Sequence, residues 1–184
     1  MGNLLRERSN INDDLGKSLK QDMAKGKLVD PSLSSSILKE KLHTLKSTKG
    51  FILDGYPRAL DQLKYFESMT YELGLEKPIV IHIDIDLNEA LSRLKNRFEC
   101  TATNTTYSGK HKSAQIECKK AGGVLTKRVD DNEITLRNRF KVYKEQTIPV
   151  LNYYKAQRIV IKINGKQDTN NVFNDIKEVL NDYY

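Results

Sequence analysis

Apolar and polar positions follow two periods along the chain, and together they predict alternating strands and helices. Continuous or alternating apolar runs predict strands, whereas apolar residues three and four apart predict helices. The run "KGFILDG" is bounded by glycines, which is typical of a strand buried on both faces. The strands are predicted at residues 49–55, 78–86 and 158–165. The helices are predicted at residues 15–25, 31–45, 60–69, 88–97, 132–154 and 168–184.

Glycine, proline and short polar residues mark where several of these helices begin and end. Gly26 closes the first predicted helix, and Pro31 lies near the start of the second. Asp168 or Thr169 is expected to cap the last helix. Pro149 lies inside the long helix and is expected to bend it, because proline removes a helical hydrogen bond.

Strands that alternate with helices predict an α/β fold with a parallel sheet. Functional groups of such sheets gather at the carboxyl ends of the strands, here residues 54–58 and 164–166. Residues 98–129 are rich in Thr, Ser, Gly and Lys without a sustained period, which indicates an inserted flap or a loose loop. We therefore predict a core over 1–97 and 130–184, interrupted by that insertion.

The composition is that of a globular protein with a basic surface. The net charge is +7 and the isoelectric point is about 9.3, which favours anionic partners or, alternatively, a lysine-rich solvated surface. No apolar run approaches the length of a membrane span, and the start of the chain is no signal peptide. We expect a cytoplasmic protein without a membrane partner. Two cysteines argue against a disulfide scaffold.

Arginines recur where predicted elements end, and arginine binds phosphate through two parallel hydrogen bonds. Arg93 and Arg97 are four residues apart on one predicted helix and so share a face. Convergent cations would stabilise the spread charge of phosphoryl transfer. The alternative is that these are ordinary surface residues. The arginines concerned are Arg6, Arg58, Arg93, Arg97, Arg128, Arg137 and Arg139.

The segment "GFILDGYPRALDQ" favours the phosphate interpretation. Gly55 lets a ligand approach the backbone, and Pro57 fixes the turn from which Arg58 projects. Gln62 follows four residues later and can present its amide to the edge of a base.

This segment resembles the signature of adenylate kinases, and four further segments resemble that family in the same order. They are "GNLLRE", "LGKSLKQDMAKGKLVDPSL", "RVDDNEITLRNRFKVYKEQTIPVLNYY" and "ING". The resemblance implies the three-layer α/β fold of P-loop nucleoside monophosphate kinases, with a lid at residues 98–129.

The resemblance also implies a role for each matching residue. Arg6 and Arg58 would bind the AMP phosphate, Gln62 the adenine, and Gly55 would let the base pack on the backbone. Lys27, Leu28 and Val29 would line the ribose and base, and Asp54 would lie near Mg²⁺ through water. The residues that would act on ATP and the transferred phosphoryl group, or orient such residues, are Arg58, Arg93, Arg97, Arg128, Arg139, Lys166, Asp130 and Asp131.

The chain departs from the family pattern at its start. Adenylate kinases open with a strand, a glycine-rich phosphate loop and a helix, and G-x-x-x-x-G-K-[ST] occurs nowhere in these 184 residues. We expect a chain that lacks the central first strand and the phosphate loop. An alternative start, a misplaced start, a degraded gene and a shortened version of the protein all remain open.

The flap departs from the family pattern as well. Many lids of the family bind zinc through four cysteines, whereas the matching positions here are Cys100, Thr103, Cys118 and Ala121. Two thiolates do not close a tetrahedral zinc site, so we expect no zinc. A disulfide between the two cysteines is not expected in the cytoplasm. We predict a flap that is loose or held by Thr and Ser hydrogen bonds.

The leading hypothesis is a monomeric adenylate kinase that transfers phosphate from Mg·ATP to AMP. The alternative is a catalytically weak or inactive remnant that retains a partial AMP site. A basic nucleic-acid binder is a third hypothesis, but aromatic and basic residues are not interleaved, so nucleic acid is not an expected partner.

Overall fold

The computed structural model describes residues 1–44, 50–109, 111–127 and 131–181. Helices and strands alternate over much of this range, which confirms the predicted α/β class. The chain divides into two compact units. Unit 1 comprises Met1–His82 and Asn138–Lys162, and unit 2 comprises Ile83–Arg137 and Ile163–Tyr184.

Unit 1 begins with four helices that pack through apolar side chains. Two clusters form there: Leu5, Leu19 and Val29 make the first, and Leu38, Tyr56, Phe66 and Met69 make the second. The helices are α1 (Gly2–Ser9), α2 (Asp14–Ala24), α3 (Pro31–Thr44) and α4 (Leu60–Glu72).

The start of α2 has a clear physical cause. Asp13 precedes the helix in an extended conformation, and its Oδ1 accepts a hydrogen bond of 2.7 Å from the Gly16 amide. This side chain also receives two hydrogen bonds from Arg8, which hold the end of α1 beside the start of α2. One acidic cap therefore begins one helix and fixes its neighbour.

Two strands, β1 (Val80–Asp84) and β5 (Val160–Asn164), form a parallel pair. The Val80 amide donates to the Ile159 carbonyl at 3.1 Å, and the Gly165 amide donates to the Asp84 carbonyl at 2.9 Å. The residue numbers rise together on both strands, which makes the pairing parallel. The predicted strands at 78–86 and 158–165 are confirmed, with shorter bounds.

The strand predicted at residues 49–55 is wrong over the residues that the structure describes. Residues 50–53 belong to no helix or strand, and a turn follows at Asp54. Ile52 is 95% exposed although its segment reads as a buried strand. A strand requires a neighbour that takes up its backbone N–H and C=O groups, and no described strand pairs here.

Unit 2 contains α5 (Leu87–Lys95), and then a small sheet and helix over residues 97–126, which we call the flap. The sheet is antiparallel with the order β3–β2–β4. The flap elements are β2 (Arg97–Cys100), β3 (Thr106–Ser108), α6 (Lys112–Lys120) and β4 (Leu125–Thr126). The predicted flap is thus folded rather than a loose loop, and the predicted domain boundaries stay a prediction.

A disulfide joins Cys100 in β2 to Cys118 in α6, which corrects our expectation. That expectation came from the compartment and from the count of cysteines, not from their positions in space. The hairpin and helix bring the two Cα atoms to 5.6 Å, well inside the range that a disulfide spans. The predicted threonine hydrogen bonds are also present, since Thr101 and Thr103 both bond within the flap.

The long helix predicted at residues 132–154 consists of three parts. They are α7 (Glu133–Val142), a π-helical turn at Tyr143–Thr147, and α8 (Ile148–Ala156). Pro149 lies in the first turn of α8, where its missing N–H costs little. The interruption therefore lies just before the predicted bend at proline. The last helix, α9 (Thr169–Asn181), is capped by Asp168 as predicted.

Candidate functional site: a cavity in unit 1 and the predicted cations

The turn that follows Asp54 is built around Gly55. Its φ of +67° is one that glycine adopts readily. The Arg58 Nε donates to the Gly55 carbonyl at 2.8 Å, so the arginine folds back over the glycine. A Cβ at Gly55 would lie 2.2 Å from Nη2 of Arg58. The glycine therefore provides both the backbone conformation and the space for this guanidinium. The Tyr56–Pro57 bond of the same turn is cis.

Tyr56 anchors the turn in the protein interior. Its hydroxyl lies 2.6 Å from the Ser35 hydroxyl and donates to the Gln62 carbonyl at 3.3 Å. Its ring packs edge-on against Phe66 in one of the buried clusters. Burial raises the pKa of Tyr56, so the phenol stays protonated and keeps its hydrogen to donate.

Gln62 is 4% exposed, and the turn and α3 fix the orientation of its amide. Its Oε1 accepts from the Arg58 amide at 2.7 Å, and its Nε2 donates to the Ser34 hydroxyl at 3.2 Å. A primary amide has two hydrogens and two acceptor positions. One hydrogen and one acceptor position therefore remain for a ligand.

A cavity of about 280 Å³ lies beside this turn in unit 1. Four residues that the sequence assigned to nucleoside binding line it, namely Lys27, Leu28, Val29 and Gln62. The structure thus brings these four together, while their roles remain predictions. The other lining residues are Asp30, Pro31, Ala59, Val142 and Gln146.

Three of the predicted phosphate-binding arginines belong to unit 1, and their charges interact near the turn. The Arg58 side chain keeps contact with solvent, yet surrounding protein lowers the pKa of its guanidinium. Asp54 opposes that lowering and Arg139 adds to it. The charges of Arg58 and Arg6 also act on the Met1 ammonium, which donates to the Asp54 carbonyl at 3.0 Å. Arginine stays protonated throughout, so this is a local excess of positive charge.

The predicted cations of unit 2 are paired with oxygen atoms of that unit. Arg93 donates to the Glu89 carboxylate at 2.6 Å and to the Gln167 carbonyl at 2.8 Å. Arg97 makes two hydrogen bonds to the carboxylate of Asp131, whose side chain is almost fully buried. Arg128 and Asp130 lie outside the described residues.

Arg97 does not share a helix with Arg93, contrary to our prediction. Helix α5 ends at Lys95, and Arg97 opens β2, where it pairs with Ser108. The hydrophobic spacing of α5 continues into Phe98, so the sequence alone does not show where the helix ends. The helix-face argument for these two arginines is therefore wrong.

Lys166 follows β5 and forms an ion pair with Asp86. Its Nζ lies 2.7 Å from Oδ2 of Asp86, and the hydrogen bond with that carboxylate raises the pKa of Lys166. The backbone beside it is tightly placed: a Cβ at Gly165 would lie 2.5 Å from Cγ2 of Ile85. Glycine at position 165 therefore allows the end of β5 to approach the end of β1.

Sequence reasoning missed several residues of the cavity wall. Asp30 and Pro31 directly follow the predicted Lys27–Val29 segment, so their adjacency was an available signal. Val142 and Gln146 come from a distant part of the chain and carried no such signal. Thr147 was also missed: its hydroxyl donates to the Arg58 carbonyl at 2.9 Å.

The described residues offer little to a metal ion by themselves. No group of three or more His, Cys, Asp or Glu side chains among them is arranged to hold one. Mg²⁺ commonly keeps several waters and binds one or two carboxylates together with substrate phosphates. The exposed Asp54 could supply such a single carboxylate. The residues present are therefore compatible with Mg²⁺ that is bound to a nucleotide.

Among the described helices, none combines the length and the apolar character that crossing a membrane requires.

Comparison with known proteins gives one consistent family. The adenylate kinase family model matches residues 1–159. The adenylate kinase of Listeria innocua is 34% identical over 181 residues, which cover 97% of this chain and 84% of the relative. That of Thermosipho africanus is 35% identical over 182 residues, with coverages of 98% and 84%. That of Archaeoglobus fulgidus is 35% identical over 181 residues, with coverages of 97% and 83%. The chain therefore belongs to the adenylate kinase family, whose named members are phosphotransferases.

Proposed function

We propose that this chain binds AMP in the cavity of unit 1 and takes part in the reversible reaction of Mg·ATP with AMP to give two ADP. The observation that carries the proposal is the cavity lined by Lys27, Leu28, Val29 and Gln62 beside Arg58. Its apolar lining suits a base, and the positive charge beside it suits a phosphate.

The unit 1 residues would divide the nucleotide between them. Gln62 has a fixed amide with one free hydrogen and one free acceptor position, which match the adjacent donor and acceptor of an adenine edge. Arg58, Arg6 and Arg139 supply the positive charge for the phosphate. Because Gly55 has no side chain, the guanidinium of Arg58 can lie over the backbone at this position.

In unit 2, Arg93, Arg97 and Lys166 would bind the ATP phosphates and adenine. Their present partners do not prevent this. Ion pairs with exposed members, such as Lys166 with Asp86, contribute little to stability because water screens them, so a polyphosphate can replace them at small cost. Arg97 differs, because the buried carboxylate of Asp131 holds it in a fixed orientation.

The proposed chemistry needs no protein base. A phosphate oxygen of AMP forms a bond with the γ-phosphorus of ATP, and the bond from that phosphorus to the bridging β,γ-oxygen breaks. Charge spreads over the transferred group, and arginines such as Arg58, Arg139 and Arg97 would stabilise it. Mg²⁺ bound to ATP would neutralise further phosphate charge, with Asp54 nearby. We further propose that the protein acts as a monomer in the cytoplasm.

A second candidate is an AMP-binding protein with weak or no turnover. The observation that favours it is the absence of G-x-x-x-x-G-K-[ST] from these 184 residues, because this loop holds the β- and γ-phosphates of ATP in such kinases. AMP binding does not depend on that loop, so binding and turnover are separate questions.

The test measures both quantities on the full chain. Calorimetric titration should detect AMP binding, and Arg58→Ala should weaken it by about 10- to 150-fold, the loss expected for hydrogen bonds to a charged group. Gly55→Ala should weaken it as well by displacing the same guanidinium. Lys144→Ala, at an exposed residue of the π-helical turn that does not line the cavity, is the matched control.

ADP formation from ATP, AMP and Mg²⁺ then distinguishes the two candidates. Turnover that Arg58→Ala abolishes supports the kinase. AMP binding without turnover supports the second candidate. A chain that binds no AMP contradicts both.

A further inference from the structure

The wall of the cavity that comes from the π-helical turn contains a polar group with no assigned role. Gln146 lies in that turn, and Val142 lies four residues before it, so both can face the same cavity. Turns of π-helix are rare and occur often at functional sites. Here the turn brings an amide to a cavity whose other residues, apart from Val142, lie more than 80 positions earlier in the chain.

The turn is fixed to the rest of unit 1 on both sides of Gln146. Thr147 donates to the Arg58 carbonyl at 2.9 Å, which joins the turn to the proposed phosphate-binding arginine. The Tyr143 hydroxyl lies 3.0 Å from Nε2 of His82. The backbone that carries Gln146 is therefore held in place, and the amide is presented from a positioned support.

The two glutamines of this cavity differ in how their amides are held. Both ends of the Gln62 amide are hydrogen-bonded inside the protein, so its orientation is fixed. In the described part of the chain, the Gln146 side chain is exposed and makes no hydrogen bond. It can therefore turn its carbonyl or its NH₂ group towards a ligand as the ligand requires.

We propose that Gln146 is a second base-contacting residue of the monophosphate site, and this assignment rests on the proposed function. The base is the part of the nucleotide that fits here, because Gln146 shares its wall with the apolar Val142. An amide that rotates freely pairs with a 6-amino or a 6-oxo purine equally well. Gln146 thus contributes affinity for the base, whereas the fixed Gln62 selects between bases.

The test compares the parent chain with Gln146→Leu, which keeps the approximate size of the side chain and removes its capacity to form hydrogen bonds. AMP, IMP and ribose 5-phosphate are titrated against both proteins, the last as a competitor of AMP. We expect AMP and IMP to bind about 2- to 10-fold more weakly to the variant, the effect of one net hydrogen bond. Ribose 5-phosphate has no base, so its affinity should not change.

Lys144→Ala is the control within the same turn and should change none of the three affinities. Unchanged AMP affinity in Gln146→Leu would overturn the assignment while leaving the proposed AMP site intact. Equal weakening of ribose 5-phosphate would overturn it as well, because the variant would then have disturbed the site as a whole. A parent chain that binds neither AMP nor IMP would instead refute the proposed function and this assignment with it.

Discussion

Unit 1 and the flap of unit 2 are stabilised in different ways. All three apolar clusters of the described residues belong to unit 1, and the third joins Leu63, Val150 and Tyr154. In the flap, the apolar residues buried among those described are Cys100, Ala114 and Cys118. Apolar packing thus supports the cavity of unit 1, while in the flap a disulfide joins strand β2 to helix α6.

The same contrast applies to the functional groups of each unit. In unit 1, Gln62 is buried and its amide orientation is fixed before any ligand arrives. In unit 2, Arg93 and Lys166 form ion pairs whose side chains are partly exposed to solvent. The comparison indicates a preorganised cavity wall in unit 1, where we propose nucleoside binding, and more adaptable cations in unit 2.

The largest expected effect comes from removing core volume in unit 1. Leu38 is 2% exposed in the cluster that contains Tyr56, so Leu38→Ala should lower the free energy of unfolding by about 2–5 kcal/mol. Urea unfolding followed by circular dichroism measures this. Ile116→Ala is the matched control in the flap, where that side chain is 54% exposed, and should change stability by less than about 0.5 kcal/mol. Equal effects of the two variants would contradict the contrast.

A smaller and more local effect is expected from removing the disulfide. Replacing Cys100 and Cys118 by Ala opens a loop with a sequence separation of 18, which should cost about 3 kcal/mol by the loop-entropy relation. Hydrogen exchange should rise in the flap and stay unchanged in α3 and α4. Adding a dithiol reductant to the parent chain should have the same effect. Exchange rates in the flap that stay the same after reduction would show that the disulfide does not stabilise the flap.

The smallest effect concerns pH and the cap of α2. Hydrogen bonds from Arg8 and then Gly16 lower the pKa of Asp13 from its ordinary value near 3.8. At pH values between the lowered pKa of the folded state and the ordinary pKa of the unfolded state, Asp13 binds more protons in the unfolded state than in the folded state. The contribution of Asp13 is therefore fully present above about pH 4 and is lost as pH falls through its folded pKa.

Asp13→Asn should keep the cap and remove this acid-dependent part, as measured by urea unfolding between pH 2 and pH 6. Asp14→Asn, at the neighbouring exposed residue, is the control. A steeper acid loss in Asp13→Asn than in the parent chain would reverse the assigned sign.

Local signals in the sequence predicted much of the fold. Pro31 starts α3, Asp168 caps α9, and the β-branched run before Asp84 forms β1, as expected. These features depend on neighbouring residues, so a single sequence contains them. The strand prediction over residues 50–53 was wrong because strand formation depends on a partner strand elsewhere in the chain. The apolar character of the segment does not show whether such a partner is present.

The site shows the same limit. The sequence pointed to the motif around Arg58 and to residues 27–29, because each is a short continuous segment. Gln146 and Thr147 were missed. They lie in a π-helical turn, and the 3.6-residue spacing of apolar residues in the sequence does not reveal such a turn. The Cys100–Cys118 bond was missed for a related reason, since the packing of α6 against the small sheet decides it.

The carboxylate of Asp86 has two oxygen atoms with separate partners. Oδ1 accepts from the Glu89 amide at 2.8 Å and starts α5, while Oδ2 lies 2.7 Å from Nζ of Lys166. Withdrawal of the lysine towards another anion would leave the first oxygen in place. The ammonium group is thus available for exchange without unwinding the adjoining helix, and the energetic cost of engaging it stays confined to one surface contact.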